Sequence, residues 1–511
     1  MFTLLQKLHR IDLLSIKGVL RLLQAVMTTG INLMALLRLA AQLHPQRMAV
    51  TDDNERLSYK ELAHRSEYLA KALQAEFGIK GGQKIAIACR NHAAAIQSIF
   101  AASRLGAHVF LLNPDMSDDQ ILALEDRHHF DFYIHEEYKD VFRNAKLINK
   151  SIPAYHADDN SISRLISESK HSRHQLKKVK TGNIVVLTGG TTGQPKAASR
   201  KPSVFAFLPP FVALLTEVHL DRYRSVYIPT PIYHGFGLAA LFIGTILGLE
   251  MFFTARFDAA RGCTLVETNN VEGVVVVPIM LDRMLKQEEK ALSPLKCIIT
   301  GGALLKPALA QKTLETLGPI LFNLYGTSEA GFCIMGKPEL LAKKPQAVGQ
   351  PIWGVRCQIA DKSGQEVKQG AIGQLNIRAA WAITQKSWVP TGDIAYRDED
   401  GDIFLCGRSD DMIVSGGENV YPIELEHVLS QHPDLEAVAV VGIPDEEFGQ
   451  RLKAVVVVKA DVVPDTAMIK DWLKPRVSRH QMPAKIEFRD ALPYTALGKL
   501  DKKVLRGDKA T

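Results

Sequence analysis

A loop rich in glycine and threonine, placed directly after an apolar strand, constrains this chain more than any other feature. Residues 184–187 are all apolar and predict a buried strand, and residues 188–196 then hold three glycines and three threonines. Glycine lets the backbone turn tightly and approach a ligand closely. Hydroxyls, backbone N–H groups and the Lys196 ammonium can bind phosphate oxygens. A plain turn has a similar composition, but three glycines, three threonines and a lysine within nine residues favour a polyphosphate site.

The amino-terminal half alternates strands with helices. Ser58 and Glu61 form a capping box ahead of a helix that runs through Leu73. Strands are predicted over residues 84–88 and 109–112, with a helix over 93–105 between them. This alternation predicts a parallel α/β sheet. A chain of 511 residues should form more than one domain.

Composition and charge narrow the class of protein. A hydrophobic content of 46% with 23% charged residues is that of a soluble globular protein. The net charge of +7 suits anionic small molecules or a membrane surface, or is simply a solvated face, and we expect no nucleic-acid partner. Six cysteines without a CxxC pair predict a reduced cytoplasmic compartment, with neither a structural disulfide nor a zinc site.

Residues 1–45 are rich in leucine and carry five lysines and arginines. Their spacing predicts one or two amphipathic helices. The longest uncharged run is too short and too polar for a membrane span, and no Ala-x-Ala cleavage site follows it. Two interpretations stay open: peripheral contact with the inner face of a membrane through these residues, or packing on the protein's own body.

Several later segments carry groups that suit a nucleotide. Residues 325–329, Tyr-Gly-Thr-Ser-Glu, offer an aromatic ring, hydroxyls and a carboxylate for adenine, phosphate and magnesium. The small-residue corner at 301–303 could receive a flat ring at the end of a strand. Asp393 is expected on a turn, where it could bind ribose hydroxyls. Taken singly, each segment has a structural alternative; residues 301–303, for example, could simply be a tight turn. The same holds for Asp410, further along the chain, which could cap a helix or a turn.

Taken together and in order, these segments resemble the signatures of the adenylate-forming (AMP-binding) superfamily. That superfamily includes acyl-CoA synthetases, peptide-synthetase adenylation domains and luciferases. The loop has Gly189 and Ala197 where the family has serine and glycine, and Ser328 replaces a threonine. The frame Pro-x-Thr-x-x-Gly-Lys ends at Lys499. The resemblance extends over about residues 48–506, although the chain between Arg378 and Thr391 is shorter than the family leads us to expect.

The resemblance implies a set of site residues. It makes Lys499, Lys196 and Glu329 catalytic. The implied residues that bind ATP or AMP are Thr188, Gly189, Gly190, Thr191, Thr192, Gly193, Lys196, Gly302, Ala303, Tyr325, Gly326, Thr327, Ser328, Asp393, Arg408 and Lys499. Magnesium is assigned to Glu329 and Thr192. The implied acyl pocket contains Tyr233, His234, Gly301 and Gly302, the hinge is Asp410, and the coenzyme A channel contains Ser415, Gly416 and Gly417.

The resemblance also implies an architecture. A helical extension over residues 1–47 would precede a large α/β domain over 48–409, built of parallel-rich sheets layered with helices plus a small β subdomain. A small, mobile α+β domain over 410–511 would carry Lys499. It would swing about Asp410 between the two half-reactions, a hinge movement of a known kind.

The implied activity is a two-step ligation that uses ATP, Mg²⁺ and coenzyme A. The carboxylate of an acid attacks the α-phosphate to give acyl-AMP, and the acyl group then passes to the thiol. No aspartate lies in the pocket motif around Tyr233 and His234 to bind an α-ammonium group. A medium- or long-chain fatty acid is therefore expected rather than an amino acid. An aryl acid, a carrier-protein acceptor and a non-catalytic nucleotide- or acyl-binding role stay as alternatives.

Overall fold

The computed structural model describes residues 2–136, 140–144, 146–155, 161–170, 174–189, 195–200, 204–327, 329–382, 387–415, 418–460, 462–463, 465–495 and 498–507. Chain contacts divide the protein into two units. The first unit comprises residues 1–276 and 283–300, and the second comprises 277–282 and 301–511. The sequence-based boundary at 409/410 stays a prediction.

Helices of the first unit begin with three in the amino-terminal segment. In chain order the helices are α1 (Phe2–Arg10), α2 (Ile16–Thr29), α3 (Leu33–Leu43), α4 (Tyr59–Phe77), α5 (Ala93–Leu105), α6 (Asp118–His128), α7 (Ile162–Ser169), α8 (Val204–Glu217), α9 (Gly235–Leu247), α10 (Ala259–Thr268) and α11 (Pro278–Glu288), whose first residues belong to the second unit. The capping box of Ser58 and Glu61 is confirmed at the start of α4, and the predicted helix over 93–105 is α5.

The strands of the first unit are mostly parallel. They are β1 (Met48–Thr51), β2 (Arg56–Ser58), β3 (Lys84–Ala88), β4 (His108–Leu111), β5 (Phe132–His135), β6 (Ser151–Pro153), β7 (Ile184–Gly189), β8 (Pro195–Arg200), β9 (Ser225–Tyr227), β10 (Glu250–Phe252), β11 (Gly273–Val276) and β12 (Cys297–Gly301). They follow the orders β6-β5-β3-β4-β7-β8 and β12-β11-β9-β10-β1-β2. Only β7/β8 and β1/β2 pair antiparallel in these two sets. The expected parallel-rich α/β architecture is confirmed.

The second unit begins with antiparallel strands. They are β13 (Leu321–Thr327), β14 (Gly331–Gly336), β15 (Ala347–Pro351), β16 (Val355–Ala360), β17 (Gly373–Ala379), β18 (Val389–Arg397) and β19 (Ile403–Arg408), and helices α12 (Pro307–Leu317) and α13 (Pro338–Lys343) accompany them. The strand order is β16-β17-β18-β19-β15-β14-β13. This part includes the small β subdomain that the resemblance implied.

The carboxy-terminal part of the second unit is an α+β layer. Strands β20 (Ile413–Ser415), β21 (Glu418–Val420), β22 (Leu435–Asp445) and β23 (Gly449–Val458) form the order β21-β20-β23-β22, and β24 (Lys485–Phe488) pairs with β23. Helices α14 (Pro422–Leu429), α15 (Thr466–Leu473) and α16 (Lys502–Arg506) accompany them. Leu425, Val440 and Leu473 lie in its fully buried core.

Three findings bear on the sequence-based predictions. The amino-terminal segment forms three helices rather than one or two. All six cysteines are free thiols, as expected. Within the described ranges, no helix combines the length and the apolar character that crossing a membrane requires.

Candidate active site

Three side chains predicted to bind the nucleoside come together in the second unit. Tyr325 lies on β13, Asp393 on β18 and Arg408 at the end of β19, and Asp393 and Arg408 are direct partners in the strand ladder. The Tyr325 hydroxyl donates a hydrogen bond to the Asp393 carboxylate. The Arg408 guanidinium donates to the other oxygen of that carboxylate at 3.4 Å. The structure therefore builds a ring, a carboxylate and a cation into one cluster.

The backbone around Asp393 differs from the predicted turn. Asp393 lies inside β18, and Gly392 interrupts the regular strand with a φ of +79°. The Thr391 hydroxyl accepts from the Asp393 N–H at 3.1 Å and donates to the Leu375 carbonyl at 2.8 Å. A Cβ at position 392 would lie 2.7 Å from Arg408 Nη2. Glycine adopts this φ without strain and leaves room for the guanidinium, which a larger residue would displace.

Burial and charge set the ionisation of the cluster. Burial raises the pKa of Asp393, although the Tyr325 hydrogen bond and the Arg408 charge oppose this shift. Burial, and then the charge of Asp393, raises the pKa of Tyr325, which keeps its hydroxyl protonated as a donor. The hydrogen bond to Asp410 raises the pKa of Arg408. At neutral pH Arg408 is therefore positive and Tyr325 is neutral.

The predicted hinge residue Asp410 binds this cluster directly. Its carboxylate accepts from Arg408 Nε at 2.8 Å. Partial burial raises the pKa of Asp410, but the hydrogen bond and charge of Arg408 outweigh it and lower the pKa overall. Its neighbour Asp411 pairs with Lys502 at 2.7 Å and with Arg506 at 3.1 Å. The Asp410 carboxylate is therefore paired with Arg408, and the Asp411 carboxylate with Lys502 and Arg506. A hinge role for Asp410 stays a prediction.

Lys499 stands on a tight turn of the same unit. The Thr495 N–H donates to the Lys499 carbonyl at 2.7 Å, and the Lys499 N–H donates to the Thr495 hydroxyl at 3.3 Å. Gly498 has a φ of +70°, and a Cβ there would lie 2.8 Å from Val277 Cγ2. Val277 is also 3.7 Å from the Cβ position of Gly302. One valine therefore borders both the lysine turn and the predicted adenine corner.

The charges of Arg408 and Asp393 affect the ionisation of Lys499. Desolvation and the positive charge of Arg408 lower the pKa of the Lys499 ammonium, while the Asp393 carboxylate raises it. The residue as a whole is still exposed, so a ligand can approach it, although its surroundings partly desolvate the ammonium.

The corner at Gly301 has the shape that the sequence predicts. Strand β12 ends at Gly301, which is buried, while Gly302 is exposed with a φ of +76° and Ala303 is half-buried. No regular element follows until α12 begins at Pro307. The small side chains leave backbone accessible where a ring could rest.

The segment from Tyr325 to Glu329 is partly a structural turn. A Cβ on Gly326 would lie 2.2 Å from the Gly331 carbonyl, so glycine is required in this hairpin. The Thr327 hydroxyl accepts from the Ala330 N–H at 3.0 Å. Ser328 lies outside the described residues. Glu329 is exposed on the turn, and a single carboxylate is enough for Mg²⁺ when phosphates supply the remaining ligands.

The predicted phosphate loop of the first unit joins β7 to β8. These strands form an antiparallel hairpin in which Thr188 pairs with Lys196 and Gly189 pairs with Pro195. The predicted residues Gly190, Thr191, Thr192 and Gly193 lie outside the described residues. The strand expected before this loop is confirmed as β7. The hairpin register brings the two ends of the loop together.

Tyr233 and His234 precede helix α9 in the first unit. Tyr233 is buried, and the two rings lie 4.5 Å apart between centroids. Asn91, a residue that the sequence analysis missed, organises this region. Its amide donates to the Ile228 and Thr230 carbonyls at 3.2 and 3.0 Å, and its oxygen accepts from the Ile232 N–H at 2.8 Å. The only sequence signal was a polar residue three positions after an apolar strand.

The predicted coenzyme A channel is described in part. Ser415 is the last residue of β20 and is buried, with an exposed fraction of 1%. Gly416 and Gly417 lie outside the described residues. Their role in a channel stays a prediction.

Two groups of side chains were not anticipated as neighbours. Cys89, His92 and Glu136 offer ligand atoms within 4.8 Å of one another. His92 already uses both ring nitrogens, since Nδ1 accepts from the Ala95 N–H and Nε2 contacts Glu136 at 3.0 Å. The second group is acidic, and the Lys344 ammonium contacts all three of its carboxylates, with distances of 2.5–2.7 Å to Asp398, Asp400 and Asp402. Both groups have structural partners.

The chain belongs to the AMP-binding enzyme family: residues 37–385 match the AMP-binding enzyme domain and residues 424–499 match the AMP-binding enzyme C-terminal domain. It is 30% identical over 499 residues to the indoleacetate–CoA ligase of Aromatoleum aromaticum, covering 91% of this chain and 96% of that protein. It is 32% identical over 353 residues to the medium/long-chain-fatty-acid–CoA ligase FadD8 of Mycobacterium tuberculosis, covering 63% and 60% of the two chains.

Solved structures agree with this assignment at the level of the fold. The o-succinylbenzoate coenzyme A synthetase MenE of Bacillus subtilis, in complex with ATP and a magnesium ion, superimposes with a TM-score of 0.78 at 24% identity. The alignment covers 93% of this chain and 98% of that one. The recognition of the adenylate-forming superfamily from sequence motifs is confirmed. The chain is accordingly an enzyme of the AMP-forming acid–thiol ligase class.

Proposed function

We propose that this enzyme activates an apolar carboxylic acid with ATP to form acyl-AMP, then transfers the acyl group to coenzyme A. The observation that carries the proposal is the cluster of Tyr325, Asp393 and Arg408, together with Lys499 on a turn of the same unit. The donor set fits a nucleotide, because it joins an aromatic ring and a carboxylate for the nucleoside to two cations for phosphate oxygens. A binding module has no need of the exposed lysine turn.

Each residue has a distinct role in this proposal. Tyr325 and Asp393 hold adenine and ribose, and Arg408 contacts ribose or phosphate. The hairpin residues Thr188 and Lys196 hold the outer phosphates. Lys499 donates hydrogen bonds to the carboxylate and α-phosphate oxygens as negative charge develops during the attack. Positioning and charge neutralisation supply most of the rate, as in other phosphoryl transfers.

Glu329 is the residue that would hold Mg²⁺, together with Thr192 from the phosphate loop. When bound, the ion neutralises phosphate charge and orients the leaving pyrophosphate. The relatives named as CoA ligases support coenzyme A as the acceptor. The predicted channel residues Ser415, Gly416 and Gly417 would line its path.

We further propose a medium- or long-chain fatty acid as the substrate. The motif around Tyr233 and His234 holds no carboxylate that could pair with an α-ammonium group, which disfavours amino acids. The relative FadD8 is named for medium- and long-chain fatty acids, and the indoleacetate ligase is named for an aryl acid. Aryl acids are therefore the direct competitors.

A set of different carboxylic acids tests both the proposed reaction and the proposed substrate. Purified enzyme with ATP and Mg²⁺ would receive fatty, aryl and amino acids in turn, with pyrophosphate and thioester measured with and without coenzyme A. We expect fatty acids to give the highest kcat/KM and thioester to form with coenzyme A. A preference for aryl acids would overturn only the substrate. Pyrophosphate release without any thioester would point to a carrier-protein acceptor, and the absence of both would overturn the proposed function.

A further inference from the structure

Helix α2 exposes its apolar face and buries its small residues. Ile16, Val19, Leu20, Leu23 and Met27 are all exposed, with fractions from 40% to 84%. Spacings of three and four residues place these side chains along one stripe of the helix. The first unit buries the small residues Gly18, Ala25 and Thr29 of the same helix. A surface helix of a globular protein usually has the opposite orientation.

Two further exposed apolar residues flank α2. Leu14 precedes the helix with 45% of its surface exposed, and Ile31 follows it with 62% exposed. The helix has 14 residues, so the stripe on α2 itself extends over roughly 20 Å. A continuous apolar strip of this length on a water-exposed surface indicates a docking site.

Two basic residues lie on one side of the stripe. At 100° per residue, Lys17 lies about 60° from Leu20 at the edge of the apolar face. Arg21 lies about 40° further round, toward the buried Ala25, and its long side chain can reach the same surface. Neither makes an ion pair within the part of the chain that the structure describes. Nearby basic residues are already engaged: Lys7 and Arg10 pair with Asp221. Lys17 and Arg21 therefore remain available to an anionic partner.

The charge pattern selects among possible occupants. Residues 1–47 contain six lysines and arginines and a single acidic residue, Asp12, and α2 itself contains no acidic residue. The α2 face of a second copy would therefore offer no complementary charge. Anionic lipid headgroups over an acyl layer complement both the basic edge and the aliphatic stripe.

We propose that α2 lies flat in the headgroup region of an anionic membrane and docks the enzyme there. The apolar stripe enters the acyl boundary, and Lys17 and Arg21 contact phosphate groups of lipids. The helix precedes residue 37, where the match to the family domain begins. The docking site is thus an addition to the AMP-binding domain, and the inference does not depend on which acid the enzyme activates.

Vesicle co-flotation of the full-length protein tests this inference. The vesicles would be phosphatidylcholine alone, and phosphatidylcholine with about 30% phosphatidylglycerol, which carries the anionic charge. We expect binding to the anionic vesicles that weakens as salt rises. Lys17→Gln with Arg21→Gln should weaken binding about 25-fold, since each basic residue near the surface contributes about fivefold. Leu20→Gln with Leu23→Gln should weaken it by at least about 100-fold.

The matched control is Val463→Gln. Val463 is 83% exposed and lies in the second unit, so its substitution should leave vesicle binding unchanged. Thermal melting of all variants should coincide with the wild type, because the changed side chains are exposed. Wild-type protein that stays unbound, or double variants that bind as well as the wild type, would overturn the proposal. A dimer in light scattering that only the leucine variant disrupts, without vesicle binding, would assign the stripe to a second copy instead.

Discussion

The hydroxyl of Tyr325 donates a hydrogen bond to the carboxylate of Asp393, and this contact joins β13 to β18 at the nucleoside cluster. Asp393 also receives the Arg408 guanidinium from β19. A carboxylate can accept about four hydrogen bonds, so these two contacts leave capacity for ribose hydroxyls. The side chain is fixed before a ligand binds, which lowers the entropy cost of binding.

Tyr325→Phe should weaken ATP binding while keeping the stacking ring. Loss of one hydrogen bond to a charged group costs about 1.5–3 kcal/mol, so we expect KM for ATP to rise by about 10-fold or more. Pyrophosphate release at varied ATP measures this. Tyr396→Phe is the control on the same strand as Asp393, since the Tyr396 hydroxyl has no hydrogen bond to the described residues. An equal KM change in both variants would refute the role of the Tyr325 hydroxyl.

Gly392→Ala should displace Arg408. Both Gly392 and Gly401 have positive φ angles, +79° and +84°, but only the Cβ at position 392 meets a neighbour, Arg408 Nη2 at 2.7 Å. Each alanine costs about 1 kcal/mol of stability for its backbone conformation. The 392 variant should in addition lose about 10-fold in kcat/KM for ATP. Urea unfolding and steady-state kinetics on both variants separate the two effects, and matching activities would contradict the account.

In Arg408→Ala, the rise in KM for ATP at acidic pH should begin at a higher pH than in the wild type. The Arg408 charge lowers the pKa of Asp393 against the effect of burial, so its removal raises that pKa. During acidification Asp393 then becomes protonated at a higher pH than in the wild type. A protonated carboxyl accepts hydrogen bonds from ribose less well, so ATP binding weakens at that higher pH. Profiles of KM for ATP against pH measure this.

Arg408→Lys provides the control, because it keeps the charge and should shift the pH of this rise less. Titration of ATP itself is common to all three proteins. An identical rise in KM for ATP at acidic pH in the wild type and the alanine variant would show that Arg408 does not set the ionisation of Asp393.

Local sequence signals predicted the first unit well. The capping box of Ser58 starts α4, and the helix over 93–105 is bounded as expected, because caps and apolar periodicity act within a few residues. The extra break in the amino-terminal segment was missed. There Asp12 and Gly30 adopt φ angles of +59° and +90°. Such backbone conformations end helices, but an aspartate in the sequence gives little sign that it will adopt a positive φ angle.

Long-range contacts explain what sequence reasoning missed at the candidate site. Asn91 holds backbone groups more than 130 positions away, and no local pattern reports such a partner. Thr391, Gly392 and Asp393 look like a turn, but pairing with β17 and β19 places them in a strand. Tyr325 and Asp393 were singled out by their chemistry and, together with Arg408, by the family resemblance. The structure shows that Tyr325 and Arg408 both contact Asp393.

We propose that Lys499 serves acyl-AMP formation and not thioester formation. The most direct measurement compares the two half-reactions in wild-type enzyme and Lys499→Ala. We expect pyrophosphate release to fall by at least about 100-fold, as when one transition-state donor is removed. Thioester formation from supplied acyl-AMP and coenzyme A should stay close to the wild-type rate. Equal loss of both half-reactions, or full pyrophosphate release by the variant, would show that Lys499 does not have this role.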